Sequence, residues 1–551
     1  MKAEEAGNMK RLFALQVLML ISALLFAGVV EAGPGIATVE TDKGTVQGYI
    51  SDGIYTFHGI PYAEVTKRFM PAEDVQPWDG VLFANAYGPI SPQPVSIGGT
   101  GTSWDEPRRV FQTSESPLNL NIWTTGIDDG KRPVMVWLHG GGFSTGSAQE
   151  LAVYDGANLS RKGDVVVVSV NHRLNVLAHL DLSAYGDEYR YSTNIGIVDL
   201  IDALEWIHRN IEVFGGDPDN ITLFGESGGG AKILALMSSP YAKGLFKRGI
   251  IESGATETMG VIFTDKEPSQ RVTELTIENL GIDDPEELQN VPYDELVAAS
   301  DKALVQTAEE YQIPAALGTG YGLAWEPVID GDFLPENPVN EDGFADGAED
   351  YGMLIGSNLT EWEAFYMAAA PALYQNDTPR TWSDEETDRR LQEKYGDKAD
   401  AIVEEFLEVY PEKTKADALF IDSSTIRIPM LKIMNAKSSN GNAPVYAYLF
   451  SWQSPLMNGV YTAYHTAEIP FVFNNIDKGD TLTSGGEDAR ILADCMSQSW
   501  INFARTGNPS VEGLPEWEEY TEKSGATMIF DNTIRLEHHH DAELLNLLVE
   551  K

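Results

Sequence analysis

The sequence predicts an α/β protein: a central, mostly parallel sheet with helices on both faces and helical insertions over its working edge. Three observations carry this expectation. Short apolar, β-branched runs recur, "PVMVWL" and "DVVVVSVN" (Asp164 to Asn171) being the clearest, and such runs suit strands buried on both faces. Between them lie longer segments whose apolar residues recur at helical spacing. The two kinds alternate, the signature of a parallel sheet with crossover helices.

The elements follow in order. Lys10 and Arg11 precede an uncharged run from Leu12 to Val30 that closes on Val30-Glu31-Ala32, which reads as a secretory signal peptide over residues 1–32, cleaved after Ala32. The run is also long enough to serve as a membrane anchor if it stays uncleaved. Residues 33–551 read as one domain. From Ile36, "IATVETDKGTVQGYI" alternates and turns at Lys43-Gly44 like a hairpin. "NIGIVDLIDALEWIHRNIEVFGG" is a helix stopped by Gly215-Gly216. "NITLF" returns to strand, "GGAKILALMSS" to helix, and "KRGIIESG" to strand. The stretches 260–345 and 365–440 are acidic and helical, and read as insertions above the sheet, where pocket walls sit. "APVYAYLFSW" (Ala443 to Trp452) is a further strand.

Charge narrows the partners. With 38 basic against 84 acidic side chains the net charge is −46, which repels nucleic acid and anionic membrane surfaces. It fits a cationic substrate, a saline habitat or simply a soluble surface. The only cysteine, Cys495, excludes an intramolecular disulfide and reads as a buried structural thiol in a helix.

The chemistry concentrates in "NITLFGESGGGAKILAL" (Asn220 to Leu236). Gly225-Glu226-Ser227-Gly228-Gly229 is a G-x-S-x-G between a strand and a helix, the setting of a nucleophile elbow. The turn is too sharp for side chains at its flanks, and the helix N-terminus aims N–H groups at developing negative charge. Serine needs a base. Elbow-bearing chains supply partners in the order serine, acid, histidine, and of the nine histidines only His465, His538, His539 and His540 follow Ser227. The last three form one tract, "LEHHHDAELL", read as a solvated turn, which leaves His465 in "YTAYHTAEIPFVF" as base. The acid stays open: Glu361 in "DYGMLIGSNLTEWEAF" is favoured slightly over Glu363, with Asp330 third. "WLHGGGFSTGS" puts Gly140, Gly141 and Gly142 just after a strand, an HGGG-type source of bare N–H donors for an oxyanion. Phe143, Trp325, Trp362 and Phe365 suggest an apolar acyl or alcohol pocket.

With these motifs read, the chain resembles the type-B carboxylesterases, the cholinesterase and carboxylesterase branch of the α/β hydrolases, and within them the bacterial para-nitrobenzyl-esterase-like members. The likeness spans nearly all of residues 33–551. It rests on "TFHGIPYAE", "LNLNIWT", "HGGGF", "NHRL", "NIEVFGGDPDNITLFGESGGG", "IGSNLTEWEAF" and "YHTAEIPFVF". The resemblance implies an α/β-hydrolase fold and a serine carboxylesterase acting on a small-molecule ester through an acyl-enzyme, with no cofactor or metal; the N-terminal signal segment adds the expectation of a secreted or periplasmic location. It implies Glu361 as triad acid, His465 as base, and the N–H groups of Gly141, Gly142 and Gly228 as oxyanion hole. A lipase for longer acylglycerols and a non-catalytic adhesion protein are the alternatives the family offers. Five positions depart from its pattern: Gly228 replaces an alanine, Trp362 a glycine, Pro117 a cysteine, and Asn175 and Ala178 two glycines.

Overall fold

Residues 35–94, 111–316, 320–362 and 377–549 are described by this computed structural model. The predicted leader, Glu363 and Phe365 lie outside them.

The period of two along each strand decides how the sheet is covered. Twelve of the thirteen strands of the main sheet form one path: β1 (Ile36–Thr41), β2 (Gly44–Ser51), β3 (Ile54–Pro61), β4 (Asn119–Thr124), β5 (Arg132–Leu138), β6 (Val166–Val170), β7 (Gly216–Glu226), β8 (Arg248–Glu252), β9 (Gly352–Asn358), β10 (Val445–Phe450), β11 (Ala526–Phe530) and β12 (Arg535–His538). Their spatial order is β1-β2-β3-β4-β6-β5-β7-β8-β9-β10-β11-β12, and Val81–Phe83 pairs separately with β2. Pairing is parallel from β6 through β11 and antiparallel at both margins. The hairpin comes where the alternation puts it, with Thr41 opposite Gly44.

On β5, Val134, Val136 and Leu138 join one apolar cluster while Met135 and Trp137 join the other, so both faces of the strand are packed. Helices α1 (Ile195–Asn210) and α2 (Gly228–Ser238) belong to the first face. The second is covered by α8 (Glu487–Thr506), which brings Leu492, Met496, Trp500 and Phe503. The expected stop of α1 is realised: a short 3₁₀ turn carries it to Gly215, left-handed at φ 79°.

The first insertion is helical as expected. Helices α3 (Lys266–Leu280) and α4 (Tyr293–Tyr311) pack on each other and build a third, separate cluster that includes Phe69, Leu177 and Trp325. The second differs in part from expectation. Helices α5 (Asp384–Tyr395) and α6 (Ala399–Val409) join the second face's cluster through Leu391, Ala399, Ile402 and Phe406, whereas α7 (Arg427–Asn440) leads into β10, and its Met430, Ile433 and Met434 lie in the first face's core. Its polar lysines and serines disguise a helix that touches the sheet along one narrow stripe. Cys495 is half-buried on α8 rather than fully buried.

Arg173, in the loop after β6, ties that loop to α1. Its guanidinium is bidentate to Asp199, Nε to Oδ2 at 2.9 Å and Nη2 to Oδ1 at 2.5 Å, with both side chains inaccessible to solvent.

Candidate active site

Ser227 stands between the end of β7 and the start of α2 with φ 55° and ψ −126°, a conformation that non-glycine residues rarely adopt. What holds it there is crowding. A Cβ on Gly225 would stand 2.7 Å from the Leu138 carbonyl oxygen and 2.8 Å from the Gly229 carbonyl carbon; one on Gly229 would stand 2.0 Å from the same Leu138 oxygen. Only hydrogen fits at either flank. The Ser227 N–H donates to the Glu252 carbonyl at 2.8 Å, closing the turn onto β8.

The acid and the histidine come together from distant segments. Glu361 follows β9, and His465 lies on the loop between β10 and the short helix Ile469–Val472. His465 Nδ1 is 2.7 Å from Glu361 Oε2, and the His465 N–H donates to the Glu361 carbonyl at 3.1 Å. The other carboxyl oxygen of Glu361 accepts from Ser253 Oγ at 2.7 Å and from the Asn358 N–H at 2.6 Å. Ser253 and Glu361 both carry positive φ, 49° and 37°, so strain gathers around the site as it does at Ser227. Burial pushes the Glu361 carboxyl up, aided by the charge of Asp422, while the Ser253 and Asn358 donors favour its ionised form. Burial also brings His465 down to about 4, against the pull of Glu468 and Asp422, and so keeps the imidazole neutral.

Three further groups surround the imidazole; the sequence singled out Trp362 only as a pocket aromatic and a departure from the family pattern, and it passed over Glu226 and Glu468 as partners of the histidine. Trp362 stacks on it with centroids 4.4 Å apart and planes at 29°. Glu226 Oε1 is 3.2 Å from Nε2, and burial raises that carboxyl well above its usual range, with Glu468 adding to the effect. Glu468, raised to about 7 by burial, accepts from Asn358 Nδ2 at 2.5 Å. The usable signal was a carboxylate inside an apolar strand end, "LFGE", where only a role inside the site explains it.

Asp330, the third-ranked acid, is elsewhere. Its carboxylate caps a turn by accepting from the Asp332 and Leu334 N–H groups and from Asn194 Nδ2. The turn signal "DGD" outweighs its position near a strand end. In the histidine tract, His538 pairs with Glu518 and His539 with the Lys523 carbonyl. Among the described residues no group of three or more His, Cys, Asp or Glu is arranged to hold a metal ion.

The glycine loop follows β5. Gly140, Gly141 and Gly142 line one cavity together with Ser227, Glu226, Trp362 and His465. Gly228 opens α2 against that loop: a Cβ on it would stand 2.3 Å from the Gly142 oxygen and 2.4 Å from its Cα. Asn175, one of the departures from the family pattern, supports the loop from behind. It takes φ 53°, donates its N–H to the Phe143 carbonyl at 2.8 Å, and sends Nδ2 to the carbonyls of Pro92 and Ser144. With ψ −142° this is a conformation as rare for non-glycine residues as that of Ser227, and the three hydrogen bonds of Asn175 hold it there.

The cavity measures about 740 Å³. Phe143 and Trp325 line it with Met259, Ile262 and Phe263 from the first insertion, so two of the aromatic residues singled out in the sequence face it along with Trp362. A space of this size, apolar with a few converging polar groups, is the form a small-molecule site takes.

Fold and site define an α/β-hydrolase esterase class, and the family follows directly. The model of the carboxylesterase family matches residues 36–547. The chain is similar to para-nitrobenzyl esterase of Bacillus subtilis (strain 168), 34% identical over 514 residues, covering 92% of this chain and 97% of the relative. It is also similar to phenmedipham hydrolase of Pseudarthrobacter oxydans, 33% identical, covering 89% and 94%. Among solved structures, an esterase from anaerobic Clostridium hathewayi, described as able to hydrolyse aliphatic aromatic polyesters, superposes with a TM-score of 0.82 at 37% identity, over 93% of this chain and 97% of that one. The chain therefore belongs to the carboxylesterase family. It is a carboxylic ester hydrolase.

Proposed function

We propose that the hydrolysis runs through an acyl-enzyme on Ser227, and that residues 1–32 direct the protein out of the cytoplasm as a cleaved leader. Ser227 Oγ attacks the ester carbonyl while His465 Nε2 takes its proton. Glu361, bound to Nδ1, holds the ring's tautomer and steadies the imidazolium that forms. The N–H groups of Gly141, Gly142 and Gly228 receive the oxyanion. The alcohol departs with the proton from His465, and water activated by the same imidazole then releases the acid. The observation that carries this reading is the 2.7 Å contact of His465 Nδ1 with Glu361 Oε2 beside an elbow serine in one cavity. The apolar breadth of that cavity supports bulky, aromatic-bearing esters as substrates, in keeping with the polyester description of the similar solved structure. The test is a fluorophosphonate titration followed by peptide mapping. One label per chain on Ser227, with activity lost in proportion, is expected; full esterase activity in Ser227→Ala refutes the mechanism.

A further inference from the structure

Lys232 is a cation in the wrong place for an ordinary helix lysine. It lies on α2, five residues past the elbow serine, and no part of it reaches solvent. Its ammonium donates to the His139 carbonyl at 2.8 Å and stands 5.6 Å from the centroid of the Phe143 ring. Those two contacts bracket the glycine loop: His139 immediately precedes Gly140, and Phe143 immediately follows Gly142. A buried cation without a direct carboxylate contact is expensive, so a fold that keeps one has a use for it.

The surroundings are set to tolerate this charge and to leave the His139 carbonyl to it. Glu150 and Glu226, both lining the cavity, favour the ammonium at longer range. The nearby imidazoles of His139, His172 and His179 each turn Nδ1 to a main-chain carbonyl, of Gly140, Arg173 and Thr193, and burial together with Lys232 keeps all three neutral. On the far side, Asn175 already anchors Phe143 and Ser144. The loop is thus clamped at one end by an asparagine and at the other by a lysine.

We propose that Lys232 is a positioning residue for ester hydrolysis, its ammonium fixing the His139 carbonyl so that the glycine N–H groups keep their aim at the oxyanion. The proposal rests on the oxyanion role assigned above to Gly141, Gly142 and Gly228. The peptide that Lys232 holds is the one joining His139 to Gly140, so a donor on its carbonyl stiffens the run from which those amides project. While protonated, the ammonium also adds a positive charge behind the loop that faces the developing negative charge. Burial brings the amine down to about 7, so its charge state changes in the range where the enzyme is assayed.

The test uses Lys232→Met, which removes donor and charge at similar volume, and Lys232→Gln, which keeps a donor without charge. Turnover and KM on p-nitrophenyl butyrate, inhibition by a trifluoromethyl ketone and thermal melting are measured together. In Lys232→Met, kcat is expected to fall about 10- to 100-fold with KM changed by less than about twofold, and the ketone to weaken in parallel, the pattern of a lost transition-state contact. Melting should hold or rise, because an apolar side chain replaces a buried charge. Lys232→Gln should recover part of kcat. Wild-type kcat should decline between about pH 7 and about pH 9 as the ammonium is lost, and this limb should be missing in Lys232→Met. Wild-type turnover in Lys232→Met overturns the proposal, as does a Lys232→Gln no faster than Lys232→Met, or a kcat loss matched by collapse of melting in both. If neither variant folds, the wild-type profile decides, and turnover that is level or rising over that range overturns it. A wild type that hydrolyses the ester yet takes no fluorophosphonate on Ser227 refutes the serine mechanism instead.

Discussion

Installing alanine at position 228 should cripple this enzyme, although alanine is the residue its family usually carries there. The added Cβ would stand 2.3 Å from the Gly142 oxygen, 2.4 Å from its Cα and 2.6 Å from its carbonyl carbon. Nonbonded carbon contacts settle near 3.5 Å, so the glycine loop or α2 must retreat by about 1 Å. Neither can do so freely. The loop is tied at the His139 carbonyl by Lys232 and at Phe143 and Ser144 by Asn175, while α2 is packed on the sheet. A misplacement of about 1 Å among catalytic groups costs about 100-fold in rate. The expected result for Gly228→Ala is therefore a kcat lowered roughly 10- to 100-fold, with KM less affected because the apolar wall of Met259, Ile262, Phe263 and Trp325 stays in place. Steady-state kinetics on p-nitrophenyl butyrate, with melting to confirm the fold, reads it. Wild-type or faster turnover in Gly228→Ala would show that the loop yields at no cost, and the tight seating inferred here would be wrong.

Three other outcomes follow from the geometry. Glu361→Gln should lose on the order of 10³- to 10⁴-fold in kcat, since an amide disturbs the imidazole's tautomer, and retention of a tenth of the activity would point to another acid. Burial brings His465 down to about 4, so the imidazole is a competent base above that value and is lost as pH falls through it; kcat/KM on an acid-stable fluorogenic ester should hold at pH values below the ordinary histidine range, and an inflection near the usual value of about 6.5 would refute this. Arg173→Ala leaves Asp199 buried without its bidentate partner and should cost about 3–5 kcal/mol of stability in a denaturant titration, whereas a loss below about 1 kcal/mol would mean that water enters the site.

The elbow and the glycine loop were legible in the sequence because they depend on what is absent. Gly225 and Gly229 face backbone that leaves no room for a side chain, so the sequence has no alternative there. His465 was legible by position, with so few histidines after the serine. The acid was not, because carboxylates abound after β9 and the choice depends on how a strand end meets the Tyr464–His465 segment; Asp330, plausible in one dimension, caps a turn in three. Helix α7 was misread because an amphipathic stripe only three or four residues wide is hidden among lysines and serines. Lys232 was missed for the opposite reason. In "GGAKILAL" it resembles the single polar residue of an amphipathic helix, yet α2 is buried along its whole length, which periodicity cannot reveal.

The indole of Trp362 lying over His465 gives the protein a built-in optical gauge. Protonated imidazole quenches a neighbouring indole more strongly than the neutral ring does, so the emission of this one tryptophan, isolated by subtracting the Trp362→Phe spectrum, tracks the proton on that ring. An acyl group held on the neighbouring serine would perturb the same signal, and turnover could be followed in the ultraviolet without any chromogenic leaving group.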